Sequence, residues 1–379
     1  ALVPYYATSS SGTRYTVYCL DKHKEWAPDY TVTRSDEELD AGYIYLLENG
    51  YPSKSLTGND ANDDYLTQIA LWWYQDLTAG TSNLTSHQKE VIQSSNYYRY
   101  IGPLIEGAVD AKNNPVTINP TFSIDSSDFH LSSDNRYLIT DTITVNSNVD
   151  YDNYRVSVDN STVEVVDSNN SVVTGEIDSS EGFKLRVNLA NISSPITVNI
   201  NVVVNYREYT AYSYTPPTEE MQRSVAAALM PVAKQKTVSS SVTMPTGSLT
   251  IRKVDDSNNA LEGARIEVRR VVTNQVIDTF TSTTSLHVIS NLLPGEYEIR
   301  ELEAPDGYYI DNATTSVVIT DSNLNISRTL SNSAFEVLIR KVDSDTGDPV
   351  AEAVLNILDS DGRVVDTVTT EDDYVSISN

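Results

Sequence analysis

Several polar residues fall where their surroundings do not suit them. In the run Leu249-Thr-Ile-Arg-Lys253 the two-residue period of a strand puts Leu249, Ile251 and Lys253 on one side. The same parity groups Glu301 with Tyr297 and Ile299, and Asn332 with Ile326 and Leu330. A lone ammonium among apolar side chains is costly and is pushed toward its neutral form. Snorkelling at a strand end is the plain alternative for a single lysine. Against it, Phe335, Val337, Ile339 and Lys341 repeat the pattern in register. A buried Lys–Glu ion pair is one outcome of such a cluster. The other is a reaction: the neutral amine attacks the asparagine carboxamide while a desolvated, protonated acid shuttles protons. Ammonia leaves and an intramolecular isopeptide bond remains.

The chain's one cysteine, Cys19, sits in Arg14-Tyr-Thr-Val-Tyr-Cys-Leu20, a β-like aromatic run. A lone cysteine excludes an intrachain disulfide and a multi-cysteine zinc site. It reads either as a small buried hydrophobe or as a nucleophile, which needs a base. His23 is near in sequence, His87, His130 and His287 are the others, and nothing around them resembles a cysteine-protease signature. In Tyr65-Leu-Thr-Gln-Ile-Ala-Leu-Trp72, Gln68 shares a helical face with Tyr65 and Trp72. That sets a neutral carboxamide between aromatic rings, where a partly buried, backbone-bonded glutamine is the plain reading.

The elements that must position these residues change along the chain. The first part holds all three tryptophans. It predicts a strand over Arg14–Leu20 and helices over about Asn62–Leu77, Ser86–Tyr98 and Pro103–Ala111, with Asp63 and Asp64 suiting the first of these helix starts. From about Pro120 to Val238, runs such as Tyr137–Val145, Phe183–Leu189 and Ile196–Tyr206 are rich in Val, Ile and Thr and are punctuated by Asn, Asp and Ser. That is an antiparallel β-sandwich signature. Met221–Met230 reads as a short helix or a strand, and Ser239–Gly247 as a linker. Beyond it the sequence repeats: Lys253-Val-Asp-Asp returns as Lys341-Val-Asp-Ser, and Asn291 returns as Asn379, 88 residues on (341 − 253). The second unit stops where the first still has strands to come, so the native protein is expected to continue. The fold class is mainly β with a small helical part. The segments are 1–238 (1–118 strand and helix, 119–238 β-rich, one domain or two), 247–334, and 335–379 as a first half-unit.

With 26 Lys+Arg against 53 Asp+Glu the net charge is −27 over 379 residues. Such acidity repels a phosphate backbone and argues against nucleic-acid binding. No apolar run approaches the roughly 18 residues needed to span a bilayer. The start, Ala1-Leu2-Val3-Pro4, has no signal-peptide pattern. Asp343-Ser-Asp-Thr-Gly-Asp348 lacks the glutamate of a calcium loop and reads, like Asp255–Asn259, as an acidic turn. No metal or cofactor is expected.

Two resemblances sharpen this reading. Leu249-Thr-Ile-Arg-Lys-Val-Asp255, Gly295-Glu-Tyr-Glu-Ile-Arg-Glu-Leu-Glu-Ala-Pro-Asp-Gly-Tyr308 and the closing asparagine resemble a CnaB-type domain of Gram-positive surface proteins and pilins. The resemblance implies an Ig-like β-sandwich in which Lys253 is joined to Asn332 with Glu301 as the catalytic acid, Glu303 being the alternative. Residues 335–379 are similar to the first half of another such module. Its Lys341 has no acid or asparagine partner within the sequence. The Tyr-Cys pair at residue 19 and Thr-Gln-Ile-Ala-Leu-Trp72 resemble the thioester domains of Gram-positive adhesins. That implies a thioester between the Cys19 sulfur and the Gln68 side-chain carbonyl, shielded by Tyr18, Tyr65 and Trp72.

The implied protein is a cell-surface adhesin, wall-anchored through a region outside this sequence. It would couple once, without turnover, to a lysine amine on a host surface or matrix protein, fibrinogen-like by resemblance. The alternative is a structural pilus or stalk subunit, or a non-covalent adhesin, without a reactive thioester.

Overall fold

The computed structural model describes residues 5–26, 30–125 and 127–378. Ala1–Pro4 and Asn379, both used in reading the sequence, lie outside them. The chain is mostly β, and it divides into two compact units: Ala1–Phe122 with Ser147–Tyr154 and Val203–Lys236, and Ser123–Asn146 with Arg155–Val202 and Thr237–Asn379.

In the first unit lie helices α1 (Ala41–Asn49), α2 (Asp60–Thr78), α3 (Ser86–Gln93) and α4 (Tyr98–Asn113). Asn59 caps α2 by accepting from the Asn62 N–H, and Asp60 and Asp63 meet the positive end of its dipole. The Asp63 carboxylate also accepts from Ser55, Leu56 and Thr57. Burial alone would raise its pKa, but these hydrogen bonds outweigh it and hold the group below the usual carboxylate range. Every residue from Leu66 to Gln75 is buried, as expected of a helix that runs through the core. Helix α1 packs close to α2 at Gly42, where a Cβ would lie 2.1 Å from the Tyr74 hydroxyl oxygen.

The sequence missed α1, whose Tyr-Ile-Tyr-Leu-Leu run offers no polar spacing to mark a helix. The second predicted helix ends at Gln93, short of Tyr98. The third begins at Tyr98, with Pro103 inside it rather than at its start. A five-stranded sheet completes the unit in the order Tyr5–Thr8, Arg14–Cys19, Ser224–Ala226, Tyr212–Thr215, Thr33–Glu38. The stretch left open as helix or strand at Met221–Met230 thus supplies a strand, with Ser224 opposite Cys19.

In the second unit, one sheet runs Phe129–Leu131, Tyr137–Thr140, Lys184–Asn188, Val163–Val166. Residues 239–243, expected in a linker, are the end of the Met230–Thr243 strand. Residues 247–334 form two four-stranded sheets. One is ordered His287–Leu292, Gly247–Asp255, Asn325–Ala334, Tyr308–Ile310, and the other Gln275–Thr281, Arg265–Arg270, Gly295–Glu303, Thr314–Ile319. Their inner faces bury Leu249, Ile251, Ile266, Val268, Tyr297, Ile299 and Leu330, the packing of a β-sandwich. Gly247–Asp255 runs parallel to Asn325–Ala334 with Lys253 opposite Leu330. Among 335–379, Glu336–Ile339 pairs with Val375–Ser378 and Val354–Leu358 with Val364–Thr369. The repeat's apolar face is open there: Phe335 and Val337 are each 54% exposed, and Lys341 is exposed too. Asp343 and Asp255 accept from backbone N–H groups two to four residues on, as turn residues do.

Candidate functional site

The strand Arg14–Cys19 ends against α2, so Cys19 and Gln68 meet although 49 residues separate them. Both are buried. The Cys19 N–H donates to Gln68 Oε1 at 2.8 Å, and Gln68 Nε2 donates to the Cys19 carbonyl at 2.9 Å. This two-point bond fixes the carboxamide plane against the main chain of the only cysteine. It also fixes which end is oxygen, because each half of the amide meets a complementary group. The Cys19 N–H then polarises the carbonyl in the manner of an oxyanion-hole donor.

Burial pushes the Cys19 thiol up to about 11, opposed by hydrogen bonding from the Asp21 backbone and the Trp72 side chain. The sulfur is therefore a neutral thiol at pH 7, unlike the activated thiolate of a cysteine enzyme. No histidine hydrogen-bonds to it among the described residues: His23 faces the Ser82 carbonyl and His287 pairs with Asp278.

A cavity of about 850 Å³ opens beside Cys19. Tyr65 and Trp72 line it, as expected of a shield. Tyr18 does not: it points to the other side of the strand, where its hydroxyl donates to the Tyr51 carbonyl. Sequence reasoning missed the rest of the wall, notably Lys22, Leu84, His87 and Gln222. Gln222 lies 203 positions from Cys19 (222 − 19), and the pairing of Ser224–Ala226 with the cysteine strand, with its own bonds to Lys24 and Glu25, brings it near. No sequence signal marked it. None of the lining residues is acidic, although the chain carries 53 acids.

The second cluster lies inside the 247–334 sandwich. Lys253 and Asn332 share a face on adjacent parallel strands, and Glu301 reaches them from the other sheet. Lys253 Nζ is 2.6 Å from Asn332 Oδ1 and 3.3 Å from Glu301 Oε2, and Asn332 Nδ2 donates to Glu301 Oε1 at 2.6 Å. All three residues are buried, whereas Glu303 is exposed. Burial pulls the Lys253 ammonium below the usual lysine range, against the attraction of Glu301 and Asp311. The Lys253 nitrogen thus lies within reach of the Asn332 carboxamide, which the Glu301 carboxyl group also holds. Lys341 has no such neighbours among the described residues. No group of three or more His, Cys, Asp or Glu there is arranged to hold a metal.

Comparison with known proteins follows the same division. Residues 16–109 match the family model described as a thioester domain, and residues 247–334 match SpaA, described as a prealbumin-like fold domain. Among solved structures, the Bacillus anthracis TIE protein is similar over 98% of this chain and 70% of its own, with 21% identity and a TM-score of 0.57. The thioester domain of the Enterococcus faecium TIE86 protein matches 62% of this chain and 83% of its own at 16% identity and a TM-score of 0.43. No curated protein matches.

Proposed function

We propose, for a chain in which a thioester domain at residues 16–109 precedes a prealbumin-like domain at 247–334, that it is a surface adhesin. It binds its target covalently through Cys19 and Gln68 and is braced by a Lys253–Asn332 isopeptide bond. The reciprocal hydrogen bonding of the Gln68 carboxamide to the Cys19 backbone, beside an open cavity, carries this reading.

The Cys19 sulfur adds to Gln68 Cδ, the C–N bond breaks, the thiol proton leaves with the nitrogen, and ammonia is released. The thioester is an activated acyl group, and the cavity adjoins it at Cys19. A primary amine on a partner protein, a lysine side chain, then attacks the same carbon. The C–S bond breaks, Gln68 keeps the nitrogen as an amide, and Cys19 is regenerated as a thiol. The event occurs once per molecule. In the stalk module Lys253 attacks Asn332 Cγ, Glu301 relays the proton, and ammonia again departs. This bridge spans 79 residues. By analogy with disulfide loop closure it contributes roughly 4–5 kcal/mol through the unfolded state. The setting is the outside of a cell, where a target protein is met and a cross-link that needs no redox partner is useful.

Intact mass tests the reading. Fresh protein should lack two ammonia masses, with Cys19→Ala restoring one and Lys253→Ala the other. Methylamine should add to the first site, and Cys19→Ala should abolish the addition. A deficit of one ammonia, insensitive to Cys19→Ala, would leave a passive, isopeptide-braced subunit.

A further inference from the structure

Few buried side-chain polar atoms in the described residues lack a hydrogen-bond partner: Trp72 Nε1, Ser127 Oγ, Gln222 Oε1, and Nε and Nη2 of Arg270. Two of these, a donor and an acceptor, belong to residues that line the cavity beside Cys19. Trp72 is 4% exposed and Gln222 7%. An unpaired buried polar group costs free energy, and such a group persists where a passing charge or ligand uses it.

The chemistry of the two atoms is complementary. The Trp72 N–H is a buried donor with no hydrogen-bond partner of ordinary geometry, and Trp72 and Cys19 line the same cavity. The Lys22 ammonium lies 5.3 Å from the centroid of the same indole. A cation there draws electron density from the ring and strengthens the N–H as a donor. The Gln222 amide has a fixed orientation, because its Nε2 donates to the Lys24 carbonyl at 2.6 Å. Its Oε1 is left as a bare acceptor.

We propose that these atoms serve the two ends of aminolysis: Gln222 Oε1 accepts an N–H of the incoming amine, and Trp72 Nε1–H donates to the departing Cys19 sulfur. The inference rests on the thioester reading above. Nitrogen attacks Gln68 Cδ, the C–S bond pair passes to sulfur, and one amine proton follows to give the thiol. Only a primary amine retains an N–H for Gln222 after that proton is lost. The site therefore selects primary over secondary amines. Trp72, which reads from sequence as a shield against water, is assigned the opposite effect on rate.

The test uses the full chain, with the thioester first confirmed by its ammonia deficit. If the wild type lacks that deficit, the thioester reading fails; every result below presumes it and bears on the inference alone. Trp72→Phe keeps an apolar ring and removes the N–H. Both methylamine capture and hydrolysis of the thioester, which leaves a carboxylic acid in place of the Gln68 carboxamide, should slow by about 10- to 100-fold. Faster hydrolysis would make Trp72 a shield and overturn its role. Gln222→Met should slow methylamine capture about tenfold, the loss of one hydrogen bond, and slow hydrolysis as well, because water also keeps an O–H for the same acceptor. An unchanged capture rate would overturn that half. Lys22→Met should give a smaller slowing, which Lys22→Arg restores. Should a variant form no thioester, the wild-type protein still decides. Its preference for methylamine over dimethylamine must exceed that of a small-molecule thioester, and an equal preference sinks the proposal.

Discussion

The Cys19–Gln68 and Lys253–Asn332 pairs each set a nucleophile against a side-chain carboxamide, and both nucleophiles are buried. Burial acts on them in opposite senses. It pulls the Lys253 ammonium down, toward the neutral amine that attacks, and pushes the Cys19 thiol up to about 11, away from the thiolate that attacks. The carboxamides are also held differently: Asn332 by the Glu301 carboxylate, Gln68 by the main chain of the cysteine itself. Access differs most. A cavity of about 850 Å³ adjoins Cys19, against about 60 Å³ beside Lys253. On the proposed function, one site finishes its reaction in a closed core and the other holds a reaction open to an outside amine.

The largest expected effect is all-or-none. Methylamine should add once to the wild-type chain, at Gln68, and never to Asn332, as peptide mapping would establish. An adduct at Asn332 would erase the distinction in access. Next comes Glu301→Gln. It removes the proton acceptor and leaves Lys253 buried without a counter-charge. The ammonia deficit of that module should vanish, and thermal unfolding should report a loss of at least the roughly 4–5 kcal/mol assigned to loop closure, with more from the unpaired charge. The Cys19–Gln68 deficit should be untouched. If both deficits disappear together, the sites are not independent.

Much of the second site was legible because strand parity is strict. Lys253, Glu301 and Asn332 each fell on an apolar face by counting in twos, and the resemblance to a CnaB-type module implied that they meet. The first site was legible only in its two reacting residues. Helical spacing put Tyr65, Gln68 and Trp72 together, but the cavity wall is assembled from Lys22, α3 and the distant Gln222, and no local period encodes such a meeting. Tyr18 was misplaced by treating neighbours in sequence as neighbours in space, although adjacent strand residues point to opposite faces. Helix α1 was missed because its burial on α2 and α4 hides the amphipathic pattern that would reveal it.

A smaller effect tests the protonation half of the comparison. After methylamine opens the thioester, Cys19 should alkylate about a hundredfold more slowly at pH 8 than free cysteine, since so little of it is ionised. The rate should climb with pH through about 11. The sign for stability is opposite to that for reactivity. A thiol whose folded pKa exceeds its unfolded value stabilises the opened protein fully below the unfolded pKa, and that stability is lost as pH rises toward about 11. A free-cysteine rate at pH 8 would mean that the sulfur is solvated, and the contrast with Lys253 would fail.

The smallest effect separates the two sites mechanically. Gly42→Ala would place a Cβ 2.1 Å from the Tyr74 hydroxyl oxygen and 2.3 Å from its Cζ. These atoms belong to a fully buried, rigid ring side chain whose hydroxyl bonds Asp40, so the helices must part rather than the side chain bend. A cost of about 1–3 kcal/mol is typical of such overpacking. Tyr74 and Gln68 ride on the same helix, so the displacement reaches the carboxamide that Cys19 must acylate. The thioester fraction should fall in intact-mass spectra while the Lys253–Asn332 deficit stays whole, because that cluster depends on strand register within its own sandwich. An undiminished thioester fraction would mean that the two hydrogen bonds to the Cys19 main chain, not the packing of α1 on α2, set the position of Gln68.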